Sequence, residues 1–365
     1  MIFDNNYEME VEENVVSIKV IGVGGAGGNA VNRMIESKTK GVDFIAVNTD
    51  AMALRKSAAP KKILLGEKIT RGRGAGSNPE VGKSACDENL EDIRSELTGA
   101  DMLFITAGMG GGTGTGAAPV IAKLARDMGI LTVGIVTKPF AFEGKVRMQN
   151  ALRGIENLKE YVDSLVVIPN EKLKFVTENK ITMMNAFATA DDVLRQGVQS
   201  ISELINVPGM INLDFADVTT IMSNAGLAHM GIGRAKGKDK AEAASRAAIS
   251  SPLLETAITG AKGLIINFTV SPDIGLDDID ATAASISSEA NPDATIIWGV
   301  SFDESYDDEM KVTVIATGFD SDSQGEVVKP VPGIATPAPE VKTEAPKDEY
   351  GLNDWDFDDL FKSKK

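Results

Sequence analysis

Two aspartates, Asp214 and Asp217, stand three residues apart in Gly209-Met-Ile-Asn-Leu-Asp-Phe-Ala-Asp217, a spacing that puts both carboxylates on one face at the start of a helix. Paired carboxylates can position and polarise an attacking water, and transfer of a γ-phosphoryl group asks for little beyond positioning and charge neutralisation. A capping carboxylate beside a solvated neighbour is the commoner use of such a pair. Spacing alone leaves both readings open. A second stretch, Ala107-Gly-Met-Gly-Gly-Gly-Thr-Gly-Thr-Gly116, suits phosphate. Glycine costs conformational entropy but lets backbone N–H groups approach a ligand closely. A run of such groups entering a helix N-terminus makes an anion site that the helix dipole strengthens. Thr113 and Thr115 can add hydroxyl donors to phosphate oxygens.

The elements around that stretch have the required order. The apolar segment Asp101 to Thr106 reads as a buried strand. Beyond the glycines, Val120, Ile121, Leu124 and Met128 recur at helical spacing before Gly129, and Ile130 to Thr137 is a second apolar strand. A strand, helix and strand in this order imply a right-handed parallel crossover. The pattern occurs earlier as well. Val15 to Ile21 reads as a strand feeding Gly22-Val-Gly24-Gly25-Ala26-Gly27-Gly28-Asn29, and a helix follows from Ala30, with Val31, Met34 and Ile35 on one face. Gly22, Gly24 and Gly27 satisfy a dinucleotide-binding pattern, and Asp50 ends the next strand, Val42 to Val47, at about the expected distance. Alone this favours an NAD-dependent enzyme, although any phosphate over a helix N-terminus can use it. A third cluster, Gly72 to Pro79, is a phosphate-facing loop or a plain connection. The nearby Gly82-Lys83-Ser84 imitates the end of a Walker A loop without its first glycine or leading strand, so Lys83 reads as a solvated helix residue.

Composition narrows the classes. The chain has 365 residues, 43% of them hydrophobic, enough for two domains and a tail. A formal net charge of −16 argues against a nucleic-acid partner. The single cysteine, Cys86, suits a reducing cytosol, and the single histidine, His229, reads as structural, which leaves no histidine metal site. An acidic stretch from Asp4 to Glu13 is unlike a secretory signal, and no apolar run approaches the roughly 20 residues of a membrane span. The expectation is a soluble cytoplasmic protein without direct membrane insertion.

A long helical pattern, Ile181 to Asn206, carries Met184, Phe187, Ala190, Leu194, Val198, Ile201 and Ile205 at three- and four-residue steps until Pro208-Gly209. After it, helices around Ala241 to Ile249 and Leu276 to Ala290 alternate with strands Gly263 to Val270, Thr295 to Val300 and Lys311 to Ala316, a mixed α+β pattern. Alternation along the last of these strands predicts one buried face. From Asp320 the segment rich in proline, glutamate and lysine cannot bury a core and reads as disordered. It leads to Trp355, Phe357, Leu360 and Phe361 among carboxylates, apolar anchors of the kind that fold onto a partner. The expected layout is a flexible leader at 1–14, a Rossmann-like parallel-sheet α/β domain at 15–180, a central helix at 181–208, an α+β domain at 209–319, a linker at 320–349 and a partner-binding peptide at 350–365.

Asn48-Thr-Asp50, Gly74-Ala-Gly-Ser-Asn-Pro79 and above all Gly108-Met-Gly-Gly-Gly-Thr-Gly-Thr-Gly116 resemble the FtsZ family, the bacterial relatives of tubulin. The similarity continues, in colinear order from about Ile18 to Phe319, through Thr137-Lys-Pro-Phe-Ala-Phe-Glu-Gly144, Ile168-Pro-Asn-Glu171 and Asn212-Leu-Asp-Phe-Ala-Asp-Val218.

That resemblance implies a tubulin-like GTPase with a guanine nucleotide across the carboxyl edge of a parallel sheet. Gly24, Gly25, Ala26, Gly27, Gly28 and Asn29 would hold phosphate, as would Gly110, Gly111, Gly112, Thr113, Gly114 and Thr115; Asp50 and Gly76 belong to the same nucleotide site. Glu143 and Arg147 match positions near the ribose and phosphates. Asn170 and Asp191 match positions that read guanine, with Phe187 packing on the base. A carboxylate fits guanine because it accepts from both N1–H and N2–H₂, a donor pair that adenine lacks. The resemblance also tips the Asp214 and Asp217 pair toward catalysis: the loop inserts into the next subunit's nucleotide pocket, with Asn212 touching the nucleotide. GTP hydrolysis to GDP and phosphate would then be coupled to self-assembly into filaments of the division ring at mid-cell. Mg²⁺ is expected, because triphosphate charge generally needs a metal for transfer. The tail would dock on membrane-tethering adaptors, although it lacks the proline customary in the apolar core. A dinucleotide-dependent oxidoreductase leaves the second glycine stretch and the Asp214–Asp217 loop unexplained. A non-hydrolysing scaffold leaves that aspartate pair without a use.

Overall fold

The apolar run Ile18–Val23 forms β1 and passes directly into α1 (Gly24–Glu36), after which β2 (Asp43–Asn48) pairs beside β1 in parallel. In this computed structural model the described residues are 16–175, 182–206, 213–254, 258–272, 274–303 and 306–319, all within one compact unit. The leader at 1–14, the linker at 320–349 and the peptide with Trp355, Phe357, Leu360 and Phe361 lie outside them. Past β2, α2 (Ala51–Arg55) precedes β3 (Lys61–Leu64), followed by α3 (Glu67–Thr70), α4 (Pro79–Glu88) and α5 (Leu90–Leu97). The chain then runs through β4 (Met102–Gly108), α6 (Thr113–Asp127), β5 (Leu131–Lys138), α7 (Lys145–Lys159) and β6 (Ser164–Pro169).

These strands lie in the order β3-β2-β1-β4-β5-β6, every neighbouring pair parallel. The order reverses between β1 and β4, so the crevice beyond their carboxyl ends is a topological switch point, where open α/β sheets bind ligands. Both faces are covered, which is why the strands read as nearly unbroken apolar runs. Val20, Met102 and Phe104 pack with α1 on one side; Ile21, Leu103 and Ile105 pack with α6 on the other. Cys86 is buried on that second side, and burial pushes its thiol up to about 12, which leaves it inert.

The long pattern becomes α8 (Met183–Asn206), whose 24 residues span about 36 Å at the α-helical rise. Ala190, Leu194, Val198 and Ile201 are buried as the periodicity predicts, but Phe187 leaves the core. Beyond α8 come α9 (Phe215–Met222), β7 (Gly226–Lys236), α10 (Lys240–Ile249), β8 (Gly263–Val270), α11 (Leu276–Glu289), β9 (Thr295–Phe302) and β10 (Glu309–Thr317). The first residues of β7 pair with β6, and its remainder pairs antiparallel with β10, continuing the sheet as β7-β10-β8-β9. Alternation predicted one buried face for β10; both are buried. Val312, Val314 and Ala316 join one core cluster, while Ile315 faces the core that α8 also packs against. Thr313 reads as polar in the sequence yet is buried, because a central strand has a covered surface on each side. His229 is buried with its ring 4.8 Å from that of Phe319, a structural place. Among the described residues no helix is long and apolar enough to cross a membrane.

Candidate nucleotide site

Both glycine stretches were expected as loops, with helices from Ala30 and Ala117. The helices start earlier. α1 begins at Gly24, which takes a positive φ of 74°, and α6 begins at Thr113. Gly24 to Gly28 are therefore the first turn of α1, while Gly110 to Gly112 form the turn that leads into α6; the first N–H groups of each helix have no partner within it and carry the positive end of its dipole. Tight packing explains the early start. A Cβ on Gly27 would strike the Thr106 carbonyl oxygen, one on Gly108 would lie 2.7 Å from Ala26 Cβ, and one on Gly114 would lie 2.7 Å from the Gly108 carbonyl oxygen. Where the two helix starts meet, a Cβ on Gly24 would come 3.1 Å from the Gly114 nitrogen.

Other glycines have nothing to avoid. At Gly25, Gly28, Gly76 and Gly111 the Cβ direction is open for 4 Å. The pattern separates glycines that allow backbones to pack from glycines with open space at Cβ, of which Gly76 is required by its positive φ of 58°. Gly112 belongs to the first kind, since its Cβ would sit 2.7 Å from that of Ala75. Gly110 has φ 106° and donates its N–H to Thr115 Oγ1 at 2.8 Å, so the buried Thr115 hydroxyl holds the turn from beneath. Thr113 Oγ1 shares a 2.7 Å hydrogen bond with Thr49 Oγ1, which links the second turn to the end of β2.

Beside the α1 turn lies a cleft of ≈ 270 Å³ whose walls include Gly25, Gly28, Asn29, Asn48 and Asp50. Asp50 Oδ1 accepts from the N–H groups of Met52 and Ala53, capping α2, and its backbone bridges to Arg73 in the third glycine cluster. The sequence reading missed Asn32 in this wall; it stands one turn beyond Asn29, and its Oδ1 accepts the Ala58 N–H at 2.8 Å. Lys83 is exposed on α4, as expected of a solvated helix residue.

Glu143 and Arg147 bracket the start of α7. Glu143 accepts the Phe140 N–H at 2.8 Å and pairs with Arg147 Nε at 3.2 Å. The Arg147 backbone closes over Gly110, whose Cβ would be 2.7 Å from the Arg147 carbonyl oxygen. Arg147 therefore abuts the second glycine turn, with Glu143 paired to it.

Asn170 and Asp191 are only 4% and 7% exposed. Asn170 Oδ1 is buried without a hydrogen-bond partner in the protein, an acceptor left for something else to satisfy. Asp191 faces Arg33 Nε at 3.7 Å, and burial pushes its carboxyl up to about 7 against the downward pull of that guanidinium. Phe187 is 44% exposed and edges onto Phe140 and Phe142, at centroid distances of 5.6 and 6.2 Å. This aromatic platform was half read from sequence; the Phe140-Ala-Phe142 spacing was the available signal.

Asp214 and Asp217 stand at the start of α9, both exposed. Asp214 occupies the N-cap position but its side chain makes no capping hydrogen bond, so the bland use of this pair is not taken up. Asn212 lies outside the described residues. The protomer does not bring the two carboxylates to the glycine turns. Phe187 and Asp191 lie toward the start of α8, whereas Asp214 follows its far end, and the helix rises about 22 Å between Asp191 and Asn206. Among the described residues no group of three His, Cys, Asp or Glu side chains could cage a metal.

Two helix N-termini meeting at the switch point of a doubly wound sheet define a nucleotide-binding protein. Residues 17–178 match the GTPase domain of the Tubulin/FtsZ family, and residues 226–320 match the C-terminal domain of the FtsZ family. The chain belongs to the Tubulin/FtsZ family, and the dinucleotide reading of Gly22-Val-Gly24 gives way to a GTPase domain. An empty FtsZ dimer from M. jannaschii is 45% identical with a TM-score of 0.81, over 84% of this chain and 89% of that one. A mutant FtsZ of the same organism has the same identity and TM-score over 83% and 91%. A GTPγS-bound protofilament of CetZ2 from Haloferax volcanii shares 21% identity at a TM-score of 0.71, over 84% and 94%, a likeness of fold.

Proposed function

We propose that this protein polymerises head to tail into filaments of a cell-division ring and hydrolyses GTP to GDP and phosphate at the junction between subunits. Gly24 to Asn29 and Gly110 to Thr115 hold the phosphates of one subunit, with Asp50, Gly76, Glu143 and Arg147 around them. Asn170 and Asp191 read guanine, and Phe187 flanks the base. The adjacent subunit completes the site with Asp214, Asp217 and Asn212, which position the attacking water. The observation that supports this reading is that Asp214 and Asp217 are exposed at the start of α9, past the C-terminal end of α8, while Phe187 and Asp191 lie toward its N-terminal end.

Mg²⁺ would supply charge neutralisation of the triphosphate. The layout proposed is a GTP-binding domain at 15–180, a central helix at 181–208 and a domain at 209–319 that presents the catalytic loop. Trp355, Phe357, Leu360 and Phe361 form the anchor for membrane-tethering adaptors, which would bring the filament beneath the membrane at mid-cell.

Phosphate release from GTP, measured against protein concentration for the wild type and Asp217→Ala, tests the shared site. Specific activity rising past a threshold, together with a variant that pellets with GTP but turns over little, is the expected result. Flat specific activity from the lowest concentration would sink the shared-site mechanism.

A further inference from the structure

We infer that Arg33 is a positioning residue that sets the base preference of the site by holding Asp191 as a double acceptor for guanine. The inference rests on the reading above that Asp191 faces the base. Arg33 sits on α1, the helix whose first turn is the Gly24–Gly28 phosphate turn, and its guanidinium reaches Asp191 on α8 at 3.7 Å. One helix therefore touches both ends of the nucleotide site. Among the described residues the charged groups that act on Asp191 are Arg33, from α1, and Asp192, its neighbour on α8. The Asp192 carboxylate is engaged elsewhere, with Arg195 Nε at 2.8 Å and Gln196 Nε2 at 2.7 Å. Arg33 is the cation that opposes the burial of Asp191.

The protonation state of that carboxyl changes which base it matches. As a carboxylate it presents two acceptors, complementary to guanine N1–H and N2–H₂. Protonated, it presents one O–H donor beside one acceptor, the pattern that complements N1 and N6–H₂ of adenine. Burial alone drives the group toward the neutral form at ordinary pH, and its carboxyl is already up at about 7 with Arg33 in place. Removing the guanidinium raises it further. Guanine preference then falls at neutral pH, although no group touching the nucleotide has been altered.

The test is equilibrium binding of GTP and of ATP between pH 6 and 8.5 to the full chain, as wild type, Arg33→Met, Arg33→Lys and Asp191→Ala. For the wild type, GTP affinity falls as pH drops through about 7 while ATP affinity does not. Arg33→Met, which keeps the length of the side chain without its charge, shifts that fall upward by roughly one pH unit and narrows the GTP-to-ATP ratio about tenfold at pH 7. Arg33→Lys restores most of the ratio. A role for Arg33 in folding alone would lower both affinities together and leave the pH profile in place, and that result overturns the inference. So does an unchanged ratio in Arg33→Met when Asp191→Ala loses its preference for GTP. If Asp191→Ala keeps that preference, the base-reading role of Asp191 is itself wrong.

Discussion

Asn206 Nδ2 donates to the carbonyl oxygen of Gly41 at 2.7 Å, and the same amide nitrogen reaches the carbonyl of Val16 at 2.8 Å. The last residue of α8 is thereby latched to the segment entering β1 and to the connection ahead of β2. At Leu213 and Asp214, the next described residues, the chain is again at the helix end, with the Leu213 N–H bonded to the Leu204 carbonyl at 3.2 Å. The latch therefore fixes where the Asp214–Asp217 segment departs from the nucleotide-binding half.

Asn206→Ala removes both bonds and leaves two carbonyls to find water. A loss of about 1–3 kcal/mol in unfolding free energy is expected. GTP affinity should stay at the wild-type value while turnover per filament subunit falls, because the latch orients the segment and does not touch the nucleotide. Urea unfolding, GTP binding and phosphate release measured on one preparation check this. Equal losses in binding and turnover would contradict it.

The two kinds of glycine should respond in opposite ways to alanine. Gly27→Ala drives a Cβ into the Thr106 carbonyl, prising α1 from β4, and a destabilisation of about 1–3 kcal/mol is expected. Gly28→Ala and Gly111→Ala place a methyl in open space, so stability should hold to within about 1 kcal/mol while GTP affinity drops. Thermal melts with and without GTP separate the cases.

Asp191 also makes stability depend on pH. Its folded-state carboxyl is raised to about 7 from an ordinary 3.8, so the folded protein holds the proton more tightly than the unfolded chain. The sign follows: the group costs nothing below its unfolded value, and its cost grows as pH rises from about 4 until the folded carboxyl ionises near 7. Asp191→Asn should therefore stabilise the nucleotide-free protein at pH 8, by up to a few kcal/mol, and leave it unchanged at pH 4. Denaturant midpoints at the two values measure the difference.

Much of the nucleotide-binding half was legible because its determinants are local. Glycines between an apolar strand and a helical period mark a turn into a helix, as at α1 and α6, and β8 emerged with the bounds that its run of β-branched residues implied. β7 went unread for a reason visible only in three dimensions. Gly231 and Gly233 break its strand pattern, yet a Cβ at either position would strike α10 carbonyl oxygens, those of Ala248 and Ala244. The glycines that weaken the strand in sequence are what let the helix lie on it.

The sequence by itself determined the turns, the periods and the identities of the polar side chains, since these depend on neighbours a few residues away. The tertiary structure alone decided that Asp191 is buried against Arg33, and that Asp214 and Asp217 stand exposed beyond the far end of α8 from Phe187. Solvent exclusion and distance are properties of segments remote in the chain, and they set both the proton affinity of Asp191 and how far the Asp214–Asp217 segment lies from it.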